Sequence, residues 1–133
     1  MFRWPVRVYY EDTDAGGVVY HANYLKFFER ARTEMLRDLG WEQDALAREH
    51  QIIFVVRALH IDYLLPARFN DRLEVHSTLD ALKSASMQFA QNLMRDETSL
   101  CQATVRIACL DRQNWRPKII PAALMESFKA YVR

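Results

Sequence analysis

The sequence predicts an α+β fold in which an antiparallel sheet packs against one long helix. Two observations carry this expectation. Apolar residues recur at three- and four-residue spacing from Tyr24 to Leu39, the period of an amphipathic helix. After residue 51 the period becomes two, in stretches joined by short connections that favour antiparallel neighbours.

In order, Arg3 to Tyr10 alternates as a first strand, with Val6 and Val8 on one face. An acidic, glycine-bearing loop follows. The helix stripe is Tyr24, Phe28, Ala31, Met35 and Leu39, widened by Leu25 and Leu36. Asn23 suits an N-cap and Gly40 a C′ terminator, so the helix spans roughly 17 residues, about 25 Å. Its wide aromatic face belongs against a sheet. Trp41 to His50 reads as a short second helix with Asp44 and Glu49 exposed.

Ile52 to Tyr63 is strongly β-forming, and Pro66 ends it. Leu73, Val75, Ser77 and Leu79 share a face of the next strand, as do Met87, Phe89 and Leu93 of the one after. Asp96-Glu97-Thr98 turns the chain into Leu100 to Asp111, where Cys101, Ala103, Val105, Ile107 and Cys109 point one way. Pro121 suits the first position of a closing helix carrying Leu124, Phe128 and Tyr131 or Val132. No repeat, linker or low-complexity stretch interrupts this order, so residues 1–133 read as a single domain.

Composition narrows the function. A net charge of +1 provides no electrostatic footprint for nucleic acid. No uncharged run approaches the roughly 18 residues of a membrane span, and the first residues lack a signal-peptide core, so a cytoplasmic location is expected. Cys101 and Cys109 lie in one strand, too far apart for a disulfide, and read as buried thiols. His60 and Asp62 share a strand face, but two ligands make no metal site, and no metal or redox cofactor is expected. With three glycines, Gly16, Gly17 and Gly40, the chain holds no Gly-x-Ser-x-Gly elbow, Walker loop or dinucleotide fingerprint.

Chemistry concentrates in Tyr10-Glu11-Asp12-Thr13-Asp14-Ala15-Gly16-Gly17-Val18-Val19-Tyr20-His21-Ala22-Asn23-Tyr24, which runs straight into the helix. A helix start leaves backbone N–H groups unpaired at the positive end of the dipole, next to which this loop brings carboxylates. Such donors suit a developing oxyanion, and a carboxylate can attack a carbonyl or activate water. Asp14 is the better catalytic candidate. Asp12 reads as a loop acid accepting backbone N–H bonds. Tyr20 and Asn23 either line the site or staple and cap the helix. Glu29 and Arg32 have the spacing of an i,i+3 ion pair, or of supports for the loop.

This loop, with Glu29-Arg30-Ala31-Arg32, Phe54-Val55-Val56-Arg57 and Arg116-Pro117-Lys118, resembles the hotdog-fold acyl-CoA thioesterases of the 4-hydroxybenzoyl-CoA type. It is most similar to their bacterial Tol-Pal-associated branch. The resemblance implies a hotdog fold, a sheet wrapped around one long helix, in homodimers or homotetramers with interfacial active sites. It implies an acyl-CoA substrate, Asp14 as catalytic aspartate and the His21 N–H as the group polarising the thioester carbonyl. Gly17, Val18, Tyr20 and Asn23 are the corresponding substrate-binding candidates. An acyl carrier protein is a further candidate partner, and peripheral attachment at the inner membrane a further location. Arg57, Arg68, Arg116 and Lys118 are candidates for CoA phosphates, with no single one assigned. Two rival functions stand beside hydrolysis. One is a hotdog dehydratase or hydratase using His21 with Glu29 or Glu34, against which the missing His-Phe-Pro loop counts. The other is non-enzymatic binding of a carrier protein or an envelope complex.

Overall fold

In the computed structural model, which describes residues 1–133, five strands form one antiparallel sheet. They are β1 (Phe2–Arg7), β2 (Ile52–Tyr63), β3 (Arg72–Leu82), β4 (Ser86–Arg95) and β5 (Thr98–Asp111), in the spatial order β1-β3-β4-β5-β2. The three consecutive strands β3, β4 and β5 neighbour one another, as their short connections demand. β1 ends at Arg7, short of the expected Tyr10, but Val8 is still fully buried. As an edge strand it tolerates Pro5.

β2 shows how the sequence keeps one face apolar over twelve residues. Phe54 and Val56 lie opposite Cys109 and Ile107, but a bulge at Arg57 shifts the register, so Leu59, Ile61 and Tyr63 then oppose Val105, Ala103 and Cys101. The apolar positions change from even to odd at the bulge, and the alternation resumes on the same side.

The long helix α1 (Asn23–Asp38) buries Tyr24, Phe27, Phe28, Ala31, Met35 and Leu36 against the sheet. Leu39, expected within the stripe, is half-buried after the last turn. Asn23 is not the N-cap; Ala22 holds that place without a side-chain cap bond, and Asn23 is already helical. Gly40 does terminate the helix. At φ +90° it donates to the Arg37 carbonyl at 2.8 Å, while Trp41 N–H donates to that of Leu36 at 3.0 Å, the paired bonds of a Schellman end.

The short helix α2 (Gln43–His50) covers the start of β2 with Leu46. The last helix, α3 (Ala122–Phe128), begins one residue later than expected, with Pro121 as its N-cap, and buries Leu124 and Phe128. His76 is partly buried and bonded to Glu74 at 2.6 Å.

Two buried polar side chains, Ser77 and Gln91, lie beneath α1. Gln91 Nε2 donates to the Phe28 carbonyl and to Ser77 Oγ, both at 3.0 Å, and Gln91 Oε1 accepts from Arg32 Nη1 at 2.9 Å. Arg32 therefore turns inward and forms no ion pair with Glu29; the i,i+3 pair of this helix is Glu34–Arg37 at 2.6 Å. Because α1 lies over β1 and β3, the inner face of β2 on either side of the bulge is left open. Val56 and Leu59 are 53% and 42% exposed there.

Candidate active site

The acidic loop folds into a small hairpin of its own. Asp14 N–H donates to the Val18 carbonyl at 2.9 Å, Gly17 N–H returns to that of Asp14 at 3.0 Å, and Thr13 pairs with Val19. Each glycine has a separate reason to be there. Gly17 has φ +81°, which side-chain-bearing residues rarely adopt. Gly16 donates its N–H to Asp14 Oδ1 at 2.8 Å, and a Cβ on it would stand 3.1 Å from that oxygen.

The two acids differ in what holds them. Asp12 Oδ2 accepts the Tyr9 N–H at 2.8 Å, a loop-building bond of the kind expected for it. Asp14 has one oxygen pinned by Gly16, makes no ion pair, and is exposed. It borders a depression lined by Tyr10, Thr13, Ala15, Gly17 and Phe69, with Tyr10 and Phe69 edge-to-face at 5.9 Å.

The hairpin is clamped to the start of α1. The Asp12 carbonyl accepts both the Tyr20 N–H and Asn23 Nδ2, each at 2.9 Å, so the Asn23 amide ties loop to helix. On the far side, Tyr63 at the end of β2 donates its hydroxyl to the His21 carbonyl at 2.7 Å. Tyr24 OH accepts the Ala67 N–H at 3.0 Å within the core. Between these anchors the His21 and Ala22 N–H groups donate to nothing within the chain. They are free donors at the positive end of a sixteen-residue helix. Asp14 lies near enough to that end for its charge to be felt by the Tyr24 phenol. Burial raises that group above the ordinary tyrosine value, opposed by the bond from the Ala67 N–H, and the Asp14 and Asp71 carboxylates add to the rise.

The other candidates occupy different places around this centre. Gly17 is on the rim of the depression, and half-buried Val18 bridges to Arg68. The Tyr20 ring lies 4.5 Å from that of His21, which also meets Tyr63 edge-on at 6.4 Å. Glu34, the acid a hydratase reading would pair with His21, is engaged by Arg37. Tyr63 and Phe69 escaped the sequence reading. Tyr63 reads as an ordinary strand-end aromatic, and Phe69 lies in a connection without periodicity. His60 and Asp62 bond to each other at 3.1 Å, and no group of three or more His, Cys, Asp or Glu gathers anywhere in the chain.

The geometry matches known proteins along nearly the whole chain. The family model of the Thioesterase-like superfamily matches residues 8–128. The acyl-CoA thioesterase YbgC of Haemophilus influenzae is 50% identical over 127 residues, covering 96% of this chain and 93% of that protein. YbgC of Helicobacter pylori is 31% identical over 133 residues, 93% of this chain and 97% of its own length. Among solved structures, a probable thioesterase from Bartonella henselae superposes with a TM-score of 0.85 at 37% identity, over 90% of this chain and 98% of that one. With a five-stranded antiparallel sheet laid around a central helix and a family match from Val8 to Phe128, this chain is a hotdog-fold protein and belongs to the thioesterase-like superfamily.

Proposed function

We propose that this protein hydrolyses acyl-CoA thioesters to free acid and CoA, with Asp14 as nucleophile or general base and the His21 N–H as oxyanion donor. The observation that carries the reading is the pairing of a half-pinned carboxylate with unpaired N–H groups at the start of α1. The activity named for the YbgC relatives supports the substrate class.

The chemistry asks little more of the protein. The leaving thiol has a pKa of about 8.5, so it departs as thiolate without an obligatory acid. The carbonyl oxygen accepts from the His21 N–H, and the neighbouring Ala22 N–H is a second donor for the charge that develops on it. Gly16 holds Asp14 Oδ1, leaving Oδ2 either to attack the carbonyl and form an anhydride or to take a proton from water. The exposed His21 ring is braced by Tyr20 and Tyr63, and its backbone contributes to the reaction.

The single domain of residues 1–133 works as an oligomer in the cytoplasm. β2 has a free outer edge, and Val56, Leu59, Tyr63, Leu64 and Leu65 are 42% to 53% exposed along and just beyond it. An apolar edge of that length is a template for strand pairing, and a second copy related by a twofold axis satisfies it.

Asp14→Asn tests the catalytic assignment without disturbing the loop, since an asparagine oxygen still accepts the Gly16 N–H. Thiol release from short, long and aromatic acyl-CoAs, and from acyl carrier protein thioesters, is the assay. A fall in kcat of about a hundredfold or more is expected, the scale of a lost catalytic group. Equal turnover by wild type and variant refutes the assignment of Asp14, and no thiol release by wild type from any ester refutes the function.

A further inference from the structure

The segment that leaves β2 grips both the acidic loop and the start of α1. Tyr63, the last residue of the strand, faces Cys101 across the sheet. Just beyond it the N–H groups of Leu64 and Leu65 both donate to the Leu100 carbonyl, at 2.9 and 3.0 Å. From this frame the Ala67 carbonyl accepts the Val19 N–H at 2.9 Å, the Ala67 N–H donates to the Tyr24 hydroxyl at 3.0 Å, and Arg68 bridges to Val18. A last contact is the 2.7 Å bond from the Tyr63 hydroxyl to the His21 carbonyl, made across 42 residues of chain. The Tyr63 ring is held for it edge-on to Tyr24, at 5.2 Å between centroids, and to His21, at 6.4 Å.

That carbonyl shares its peptide with one of the two unpaired donors. A trans peptide is planar, with its C=O and N–H pointing opposite ways, so whatever fixes the His21 carbonyl also aims the Ala22 N–H. A donor on the carbonyl polarises the unit and makes its N–H a stronger donor in turn. The two donors therefore differ in what supports them. The His21 N–H lies in the Tyr20–His21 peptide, whose carbonyl accepts the Asn23 N–H at 2.8 Å, a local turn bond. No backbone N–H reaches the His21 carbonyl, so the bond from Tyr63 is its support. The His21 donor is set by the loop itself, and the Ala22 donor is set from the sheet.

We infer that Tyr63 is a positioning residue for thioester hydrolysis: its hydroxyl aims and polarises the His21–Ala22 peptide, so that the Ala22 N–H shares the oxyanion charge. This rests on the thioesterase reading above. Tyr63 acts through the peptide and not on the substrate. Its effect is greatest where negative charge has built up on the carbonyl oxygen, so it belongs to the transition state more than to binding. Removing an oxyanion donor outright lowers kcat by about a hundredfold to a thousandfold. Without the Tyr63 hydroxyl the Ala22 N–H remains but is neither aimed nor polarised, so a smaller fall, of about tenfold, is expected.

The test is Tyr63→Phe, which removes the hydroxyl and keeps the ring. Tyr131→Phe is the control, deleting a hydroxyl bond to Asp38 at the far end of α1. Tyr63→Phe should lower kcat for thiol release about tenfold at unchanged KM, and Tyr131→Phe should leave both constants unchanged. In the free protein, with no ester present, the backbone nitrogen resonance of Ala22 should move upfield in Tyr63→Phe, while those of Asp14 to Val19 stay in place. A ring-fluorinated tyrosine at position 63, a stronger donor that preserves the packing, should move the Ala22 resonance downfield. Unchanged kcat in Tyr63→Phe overturns the inference, as does an equal fall in both phenylalanine variants. Resonances of the whole hairpin shifting together with kcat overturn it too, since Tyr63 would then merely hold the loop in place. Should Tyr63→Phe fail to fold, the fluorinated variant decides, and an unmoved Ala22 resonance overturns the inference. If wild type releases no thiol from any ester, the thioesterase reading falls. The Ala22 resonance then still decides whether Tyr63 governs that donor, and no shift in either variant overturns it.

Discussion

Replacing Gln91 by leucine should destabilise the protein by about 2 kcal/mol, although leucine is the more apolar side chain and the site is 2% exposed. The magnitude follows from what the amide holds. Its removal leaves Ser77 Oγ, in a fully buried residue, without its partner, at a cost of about 1–3 kcal/mol. It also takes from Arg32 its one acceptor within the chain, a bond to a charged group that contributes about 1.5–3 kcal/mol. Burial of the leucine side chain returns about 1.5–3 kcal/mol at most. Urea unfolding, read as a shift in midpoint at constant slope, measures the difference. A second variant sharpens the test. Replacing the whole network by Gln91→Leu, Ser77→Ala and Arg32→Met removes the stranded groups, so it should be more stable than Gln91→Leu alone. A loss under about 1 kcal/mol for Gln91→Leu, or a combined variant less stable than the single one, would refute the reasoning.

Gly16→Ala should cost activity out of proportion to stability. Its Cβ would meet Asp14 Oδ1 at 3.1 Å and push the carboxylate, so thiol release should fall at least about tenfold while the unfolding midpoint moves little. The buried thiols predict a loss of stability at high pH. Burial raises Cys101 to about 12 and Cys109 to about 11, from 9.0 for a free thiol. Each stays protonated in the folded chain and ionises once unfolded, so the unfolded state binds fewer protons above pH 9. Stability contributed below pH 9 should therefore be lost progressively between about pH 9 and pH 12, and Cys101→Ala or Cys109→Ala should flatten the decline in unfolding free energy with pH. Leu59→Lys places a charge on the open apolar part of β2, and sedimentation should show smaller assemblies than wild type; an unchanged mass would refute β2 as the contact.

Local period and local chemistry made much of this molecule legible in its sequence. Helical spacing placed α1, and an alternation of two placed β3, β4 and β5, because an element's own geometry decides which residues share a face. Gly40 was readable as a terminator because the left-handed conformation it adopts is costly for other residues. The loop could be singled out for the same kind of reason, since acids and glycines before a helix start carry their meaning in a few neighbouring residues.

Helix boundaries and long-range partners were decided elsewhere. Asn23 looked like a cap by residue type, yet the hairpin beside it offers the Asp12 carbonyl, and the amide goes there. Arg32 looked like half of a surface pair with Glu29, but the sheet beneath presents Gln91, and the guanidinium turns inward. Gln91 itself sits at an alternating position that reads as polar surface or core with equal ease. Only the packing of α1 on the sheet gives its amide three partners separated from it by 14 to 63 residues. The bulge at Arg57 and the open face of β2 beside it have the same origin. The sequence by itself determined which segments become helix and strand and which loop is acidic; the tertiary structure decided which polar groups meet, because hydrogen-bond partners are chosen by proximity in space and leave no period along the chain.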